Sequence, residues 1–358
     1  MRVLFKTKYL DDIRLIKHSG YAISYGLLLV VALLLPQFLG EFYIGELAQV
    51  FIFAIAGVGL MILTGYTGQV SLGHAAFLAI GAYAHVFFLE MGLPFMLSFI
   101  LAGLISAAVG GLLAIPVSRL SGLYLAIATL GFAIIVEDIA KHWSSVTGGL
   151  GGKMVPAPKF FGHEIWTAWE FYYLCLAVLI LIVLATLNLL RTPTGRAFVA
   201  IRDSETSARC MGVNVARYKT SAFAISAAFT GFAGALLAHR LSYISPDIYN
   251  IITSIQLLMM VVVGGLGSIH GAIFGAVFIG VLPQALAISK DFLPLAISQT
   301  PGLEPGVFGL ILILFIIYDP QGLYGRWLKI KLFFDIFPLY RKSTFKKQKS
   351  YTKTERLR

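Results

Sequence analysis

The chain is 358 residues long, with 58% hydrophobic and 13% charged residues and a mean hydropathy of +0.84. That composition excludes an ordinary soluble domain and indicates an integral membrane protein. The net charge of +11 does not indicate nucleic acid: five Lys and Arg lie in the first 18 residues, six in residues 191–219 and eleven from Arg326 onward, which is a membrane-topology signal.

The apolar segments are long uncharged runs, such as residues 171–190, rather than alternating ten-residue strands. They predict an all-α protein rather than a barrel. Residues 1–20 form a basic, cytoplasmic N-terminus, and no small-residue cleavage pattern follows the first apolar run. Gly40-Glu41-Phe42-Tyr43 is a poor cleavage site, so the run is read as a retained span. About ten spans are expected, at residues 21–39, 45–64, 72–90, 95–118, 122–141, 171–190, 220–241, 251–266, 271–289 and 306–323. Eight spans with two re-entrant segments satisfy the pattern equally. With a cytoplasmic N-terminus, an even count puts 23 of the 28 Lys and Arg inside, Arg119 among them. It puts Glu41, Glu46, Glu164, Glu170, Asp247, Asp291 and Glu304 outside.

Residues 63–83, LTGYTGQVSLGHAAFLAIGAY, interrupt this pattern. Gly65, Gly68 and Gly73 weaken the helix and permit close backbone approach, while Thr64, Thr67, Gln69, Ser71 and His74 bring polar groups to membrane depth or its edge. A broken helix survives in a bilayer only where protein or a water-filled path satisfies its backbone. Gly65, Gln69, Ser71 and His74 are therefore candidate pathway residues. For His74 the competing reading is a histidine satisfied by a helix neighbour. Residues 263–276, VGGLGSIHGAIFGA, echo the arrangement, and Gly271 and Gly275 there are read as a helix-packing pair.

Glu137 and Asp138 follow the fifth apolar run and are read as interfacial; an ion path is the alternative. In the external segment 142–170, Gly148-Gly149-Leu150-Gly151-Gly152-Lys153 resembles a phosphate loop but fails as one. Position 147 is Thr instead of Gly, and Met154 stands where Ser or Thr is needed. Pro156 and Pro158 suggest a structured turn near the outer mouth, and Trp166 and Trp169 are placed as interfacial anchors. Cys175 and Cys210 sit at different depths and are expected to form neither a disulfide nor a metal site.

Residues 191–219, RTPTGRAFVAIRDSETSARCMGVNVARYK, are the longest strongly polar segment between membrane-length apolar runs. Pro193 breaks the preceding helix. A new amphipathic pattern then places Phe198, Ile201, Ala208 and Met211 at helical spacing, with Gly212 as a C-terminal stop. Charge alone fits a solvated cytoplasmic loop, whereas the compact arrangement of breaker, amphipathic turn and glycine fits a docking surface for a soluble partner. The basic tail from residue 326 carries Phe333, Phe334, Ile336, Phe337 and Tyr340, suited to a membrane surface with anionic lipid, and disorder is expected beyond about residue 343.

The run GRAFVAIRDSETSARCMGVNVARYKTSAFAISAAFTGFAGAL resembles the coupling loop and following helix of the membrane subunits of branched-chain amino acid ABC importers. Residues 63–83 resemble the TGxxSLGHAAFxxIGAY signature of that family. Residues 121–130 and the glycine-rich segment near 263 also fit, so the resemblance covers roughly residues 45–325. It departs from the shared EAA-type signature in having Glu205-Thr206-Ser207-Ala208 and then Gly212, so Glu205, Ala208 and Gly212 carry over most directly. The resemblance implies a type II importer-like permease fold in a bacterial inner membrane, with both termini cytoplasmic. A coupling surface including Arg196, Arg202, Glu205, Ala208 and Gly212 would meet the ATPase. The implied partners are a second homologous permease, two cytoplasmic ATP-binding subunits and an external substrate-binding protein. No cofactor and no nucleotide site of its own are implied. Urea or a short amide is an alternative cargo, and an ion-coupled secondary transporter using Glu137 or Asp138 is a more distant alternative.

Overall fold

The computed structural model describes residues 19–160, 163–164, 167–290, 303–319 and 321–336. The basic N-terminus, Trp166 and the expected disorder beyond residue 343 lie outside them. Helices α1 (Ser19–Leu34), α2 (Glu41–Leu60), α3 (His74–Glu90), α4 (Phe95–Val117), α5 (Leu123–His142) and α6 (Ala168–Arg191) come first. Two polar helices, α7 (Pro193–Asp203) and α8 (Glu205–Cys210), interrupt the apolar series. Then follow α9 (Val215–Leu241), α10 (Ile251–Gly264), α11 (Ile269–Lys290), α12 (Leu303–Tyr318) and α13 (Gly322–Ile336).

Each of the ten predicted segments overlaps one of these helices. Among the described residues, five helices are long and apolar enough to cross a membrane: α2 continued to Tyr66, α4, α5, α6 and α9. The others in the apolar set are shorter. The chain is an all-α, multi-pass membrane protein.

Burial separates the helices into a centre and a periphery. In α2 and α9 the most apolar 18-residue windows are 78% and 67% buried, against 33%, 28% and 28% in α4, α5 and α6. The outer helices turn Ile100, Leu104, Leu112, Ile127, Ile134 and Leu181 outward, as lipid-facing surfaces require. At the centre, α9 packs along α4, α3 and α2. Small residues make this possible: a Cβ at Gly81 of α3 would overlap the Gly231 backbone of α9, so the two helices cross at backbone contact. Lipid is as apolar as leucine, so such van der Waals closeness, and not expulsion of water, holds membrane helices together. Gly271 and Gly275 perform the same service where α11 crosses α10, as their spacing predicts.

One end of the bundle is closed by short strands. Lys153–Met154 pairs antiparallel with Tyr243–Ile244, the Lys153 ammonium lies 2.5 Å from the Glu90 carboxylate, and the Tyr243 hydroxyl donates to the Gly151 carbonyl. The glycines that mimic a phosphate loop belong to this turn. At the adjacent end of α5, Glu137 pairs with Lys141 at 2.7 Å and Lys141 reaches Asp247 at 3.4 Å. Glu137 is thus neutralised at a helix end, in line with the interfacial reading.

Candidate functional site

The opposite end of the bundle brings together the segments that the sequence singled out. Thr192, extended at ψ 166°, ends α6, and its hydroxyl accepts the Gly195 amide at 3.4 Å. Pro193 follows as the first residue of α7, where its missing N–H costs nothing. Ser204 then interrupts the segment in an extended conformation and caps α8 by accepting the Ser207 amide at 3.2 Å. Asn214 caps α9 in the same way. Each helix of the segment therefore starts on a short polar side chain that satisfies an otherwise orphaned donor.

The break at Ser204 corrects the expectation of one continuous amphipathic helix. Phe198, Ile201 and Ala208 are buried, but Met211 is 84% exposed, lying just past the last residue of α8 where the chain turns at Gly212. Gly212 ends α8 at φ +83°, in the left-handed region that glycine enters without a Cβ penalty, and the Val213 amide reaches back to the Ala208 carbonyl at 3.0 Å.

Three of the five predicted coupling residues are tied inward. The Arg202 Nη1 donates to the Gly65 carbonyl at 3.2 Å, across 137 residues of chain, while its Nε and Nη2 hold Asp203 Oδ1 at 3.1 and 3.0 Å. Glu205 lies 2.5 Å from the Lys219 ammonium, which is almost fully buried and also donates to the Ser118 carbonyl at 3.4 Å. Lys219 is thus an internal partner and not the surface cation that its place in a basic segment suggests. Ala208 packs with Ile201 and Val215 in a small apolar cluster. Arg196 is exposed and its Nη1 donates to the Arg191 carbonyl at 3.3 Å, and Gly212 is open to the surroundings.

The segment that Arg202 grips is the predicted helix break. After Leu60 the chain widens into a π-helical turn, Met61–Tyr66. The Thr67 hydroxyl donates to the Ile62 carbonyl at 2.7 Å and the Thr64 hydroxyl to the Gln69 carbonyl at 3.1 Å, closing the disrupted backbone. Gly68, at φ +74°, lies against the Arg202 side chain and backbone. The second glycine break joins the same place: Gly267, between α10 and α11, lies against Arg202 Nη1, and its amide donates to the Met61 sulfur at 3.2 Å. One arginine of the polar segment thus touches both interruptions of the apolar helices.

His74 and Ser71 are joined by a hydrogen bond. His74 is fully buried, its Nδ1 lies 3.0 Å from Ser71 Oγ and its Nε2 lies 2.8 Å from Ser226 Oγ. Ser226 donates onward to the Gly59 carbonyl at 2.7 Å, so it accepts from Nε2–H and leaves Nδ1 to accept from Ser71. Every polar atom in this chain is satisfied by a single tautomer, which makes His74 a strut between α2, α3 and α9. Gln69 is the contrast. It is almost fully buried, and both its amide oxygen and its amide nitrogen lack hydrogen-bond partners among the described residues. Reading the sequence missed Ser226 and Lys219; the signal for Ser226 was a polar residue in the small-residue stripe of α9. Among the described residues no three His, Cys, Asp or Glu side chains come together in a geometry that holds a metal ion.

A family model described as branched-chain amino acid transport system / permease component matches residues 42–316. The high-affinity branched-chain amino acid transport system permease protein LivM of Salmonella typhimurium is 36% identical over 321 residues, covering 83% of this chain and 73% of the relative. LivM of Escherichia coli is 35% identical over the same shares. The permease protein LivH of Escherichia coli is 25% identical over 304 residues, covering 76% of this chain and 91% of that protein. No solved structure matches.

Proposed function

The chain belongs to the family of permease components of branched-chain amino acid transport systems, and on that premise we propose how it works as one membrane subunit of an ATP-driven importer. It forms part of the pathway for branched-chain amino acids across the bacterial inner membrane and is not itself an enzyme. Its partners are a second homologous permease, two cytoplasmic ATP-binding subunits and an external substrate-binding protein. The relatives are branched-chain amino acid permeases, which favours that cargo over urea or amides. Glu137, neutralised by Lys141, has no free carboxylate to offer an ion-coupled carrier.

The fold is a type II importer-like permease with ten spans and both termini cytoplasmic, and residues 21–325 form its transmembrane domain. The basic clusters at residues 1–20, 191–219 and 326–358 support this orientation. They also put the last of these near anionic lipid headgroups.

The observation that carries the reading is the Arg202 hydrogen bond to Gly65. Helices α7 and α8 present Arg196, Arg209 and Met211 outward to an ATP-binding subunit, while Arg202 holds the same segment to both glycine breaks. Closure of the ATP-binding subunits displaces α7 and α8, and Arg202 transmits the displacement to the π-turn of α2 and the α10–α11 connection. ATP favours one permease conformation because it binds the assembly more tightly in that conformation; tight binding to both would shift nothing. Gln69, whose buried side-chain amide has no partner among the described residues, lines the pathway when the break opens, and Ser71 and His74 keep α3 in register with α9.

The test is purification of the tagged chain in mild detergent, followed by leucine uptake by the reconstituted assembly. A second permease, two ATP-binding subunits and ATP-dependent uptake are expected. A stable homo-oligomer without any ATP-binding subunit would overturn the reading.

A further inference from the structure

A second polar feature lies toward the other end of α2, away from the Arg202 contact. Helices α2, α10 and α11 enclose a cavity of about 100 Å³ lined by Glu46, Gln49, Gln256 and Gln284 on apolar walls that include Phe53 and Met260. A cavity of this size admits several waters or the polar head of a small molecule. Three glutamine side chains on apolar helices are expensive where lipid surrounds the bundle, and Glu46, in the second turn of α2, adds an ionisable group to the same cavity. Glu46 is only partly paired: its Oε1 stands 3.4 Å from Arg240 Nη2, and the guanidinium is also committed to the Gly45 carbonyl at 3.1 Å.

A further acceptor comes from the backbone. Pro283, inside α11, has no N–H, so the carbonyl of Ile279 one turn earlier lacks its helical donor, and both residues line the cavity. A carboxylate, a released carbonyl and three amides beside an aliphatic and aromatic wall have the chemistry of a zwitterion with an apolar side chain. An ammonium supplies three donors for these acceptors. A neutral amide such as urea can donate to the carboxylate but leaves its charge uncompensated.

We infer that this cavity is a subsite of the translocation pathway that takes the ammonium group of an aliphatic amino acid, with Glu46 as its counter-charge and the Gln284 amide beside it. The inference rests on the permease reading above. It is tested with the complete importer in liposomes, measuring initial rates of leucine uptake with Glu46→Gln, which keeps shape and hydrogen bonding but removes charge. The expected result is a fall of about tenfold in uptake, the scale of losing one charged partner in a partly buried site, in a complex of wild-type subunit ratio. The double variant Glu46→Gln/Arg240→Gln separates this role from a structural ion pair. A pair that only holds α2 to α9 is relieved when both charges go, whereas an ammonium subsite stays impaired.

Uptake within twofold of wild type in E46Q, or recovery in the double variant, overturns the inference and leaves the permease reading standing. Absence of leucine uptake by the wild-type importer overturns both. Should E46Q not assemble, Gln284→Leu is measured in the same way: a several-fold loss supports the subsite, and unchanged uptake overturns it.

Discussion

Replacing Arg202 by alanine removes the side chain that ties α7 to both glycine breaks. A hydrogen bond to a charged donor contributes roughly 1.5–3 kcal/mol when well shielded. The Arg202 side chain is 37% exposed, so solvent screening reduces this to about 1.4 kcal/mol. That is about a tenfold change in the equilibrium between the docked and released arrangements of α7. The consequence is uncoupling: ATP hydrolysis continues while fewer of its cycles move the π-turn. In proteoliposomes the number of ATP molecules hydrolysed per leucine imported should rise several-fold to tenfold. Lysine should give an intermediate value, because an ammonium keeps the charge but cannot span Asp203 and Gly65 with a planar fork as the guanidinium does. An unchanged ratio in an intact complex would refute the argument that Arg202 transmits the motion.

The Glu205–Lys219 pair predicts an asymmetry: Glu205→Gln strands a buried ammonium and should cost about 2–3 kcal/mol, after allowance for the part-exposed carboxylate. Lys219→Met, which leaves Glu205 free to turn to solvent, should cost less; thermal unfolding of the two purified variants checks the order. Ser226→Ala leaves the His74 Nε2–H and the Gly59 carbonyl unpaired in the interior. It should destabilise by about 2 kcal/mol, read as a lowered melting temperature without a change in KM for uptake. Gln69→Leu replaces a buried amide without partners among the described residues, so it should raise the melting temperature while reducing uptake; a fall in both would show that the amide is structural.

The membrane architecture was largely legible because lipid imposes a local requirement. A crossing helix must be apolar over its whole length, so each predicted run overlaps a helix whatever its neighbours are. The Pro193 start and the Gly212 stop were legible for the same reason, since they follow from the backbone chemistry of single residues. The break at Ser204 was only half visible. Serine is a good helix cap, but the amphipathic pattern across it reads as one helix until the extended backbone of Ser204 shows the break. Lys219 was counted among the surface cations, because sequence reports charge but not the nearby carboxylate that lets the charge be buried. For His74 the sequence favoured a histidine satisfied by a neighbour over a pathway residue, but it could not name Ser226, 152 residues away, as the partner. The Arg202 contact with Gly65 was not legible at all: the residues are 137 apart, and nothing in either segment specifies the other.

Helix α8 carries a natural probe for the coupling claim, because Cys210 is exposed there and the other cysteine, Cys175, is buried. A photoreactive maleimide attached to Cys210 in the assembled importer should give an adduct with the ATP-binding subunit, in a yield that changes when ATP is added. An intact complex in which Cys210 forms no adduct with that subunit, with or without ATP, would contradict the claim that residues 193–214 transmit ATP-driven motion to the pathway.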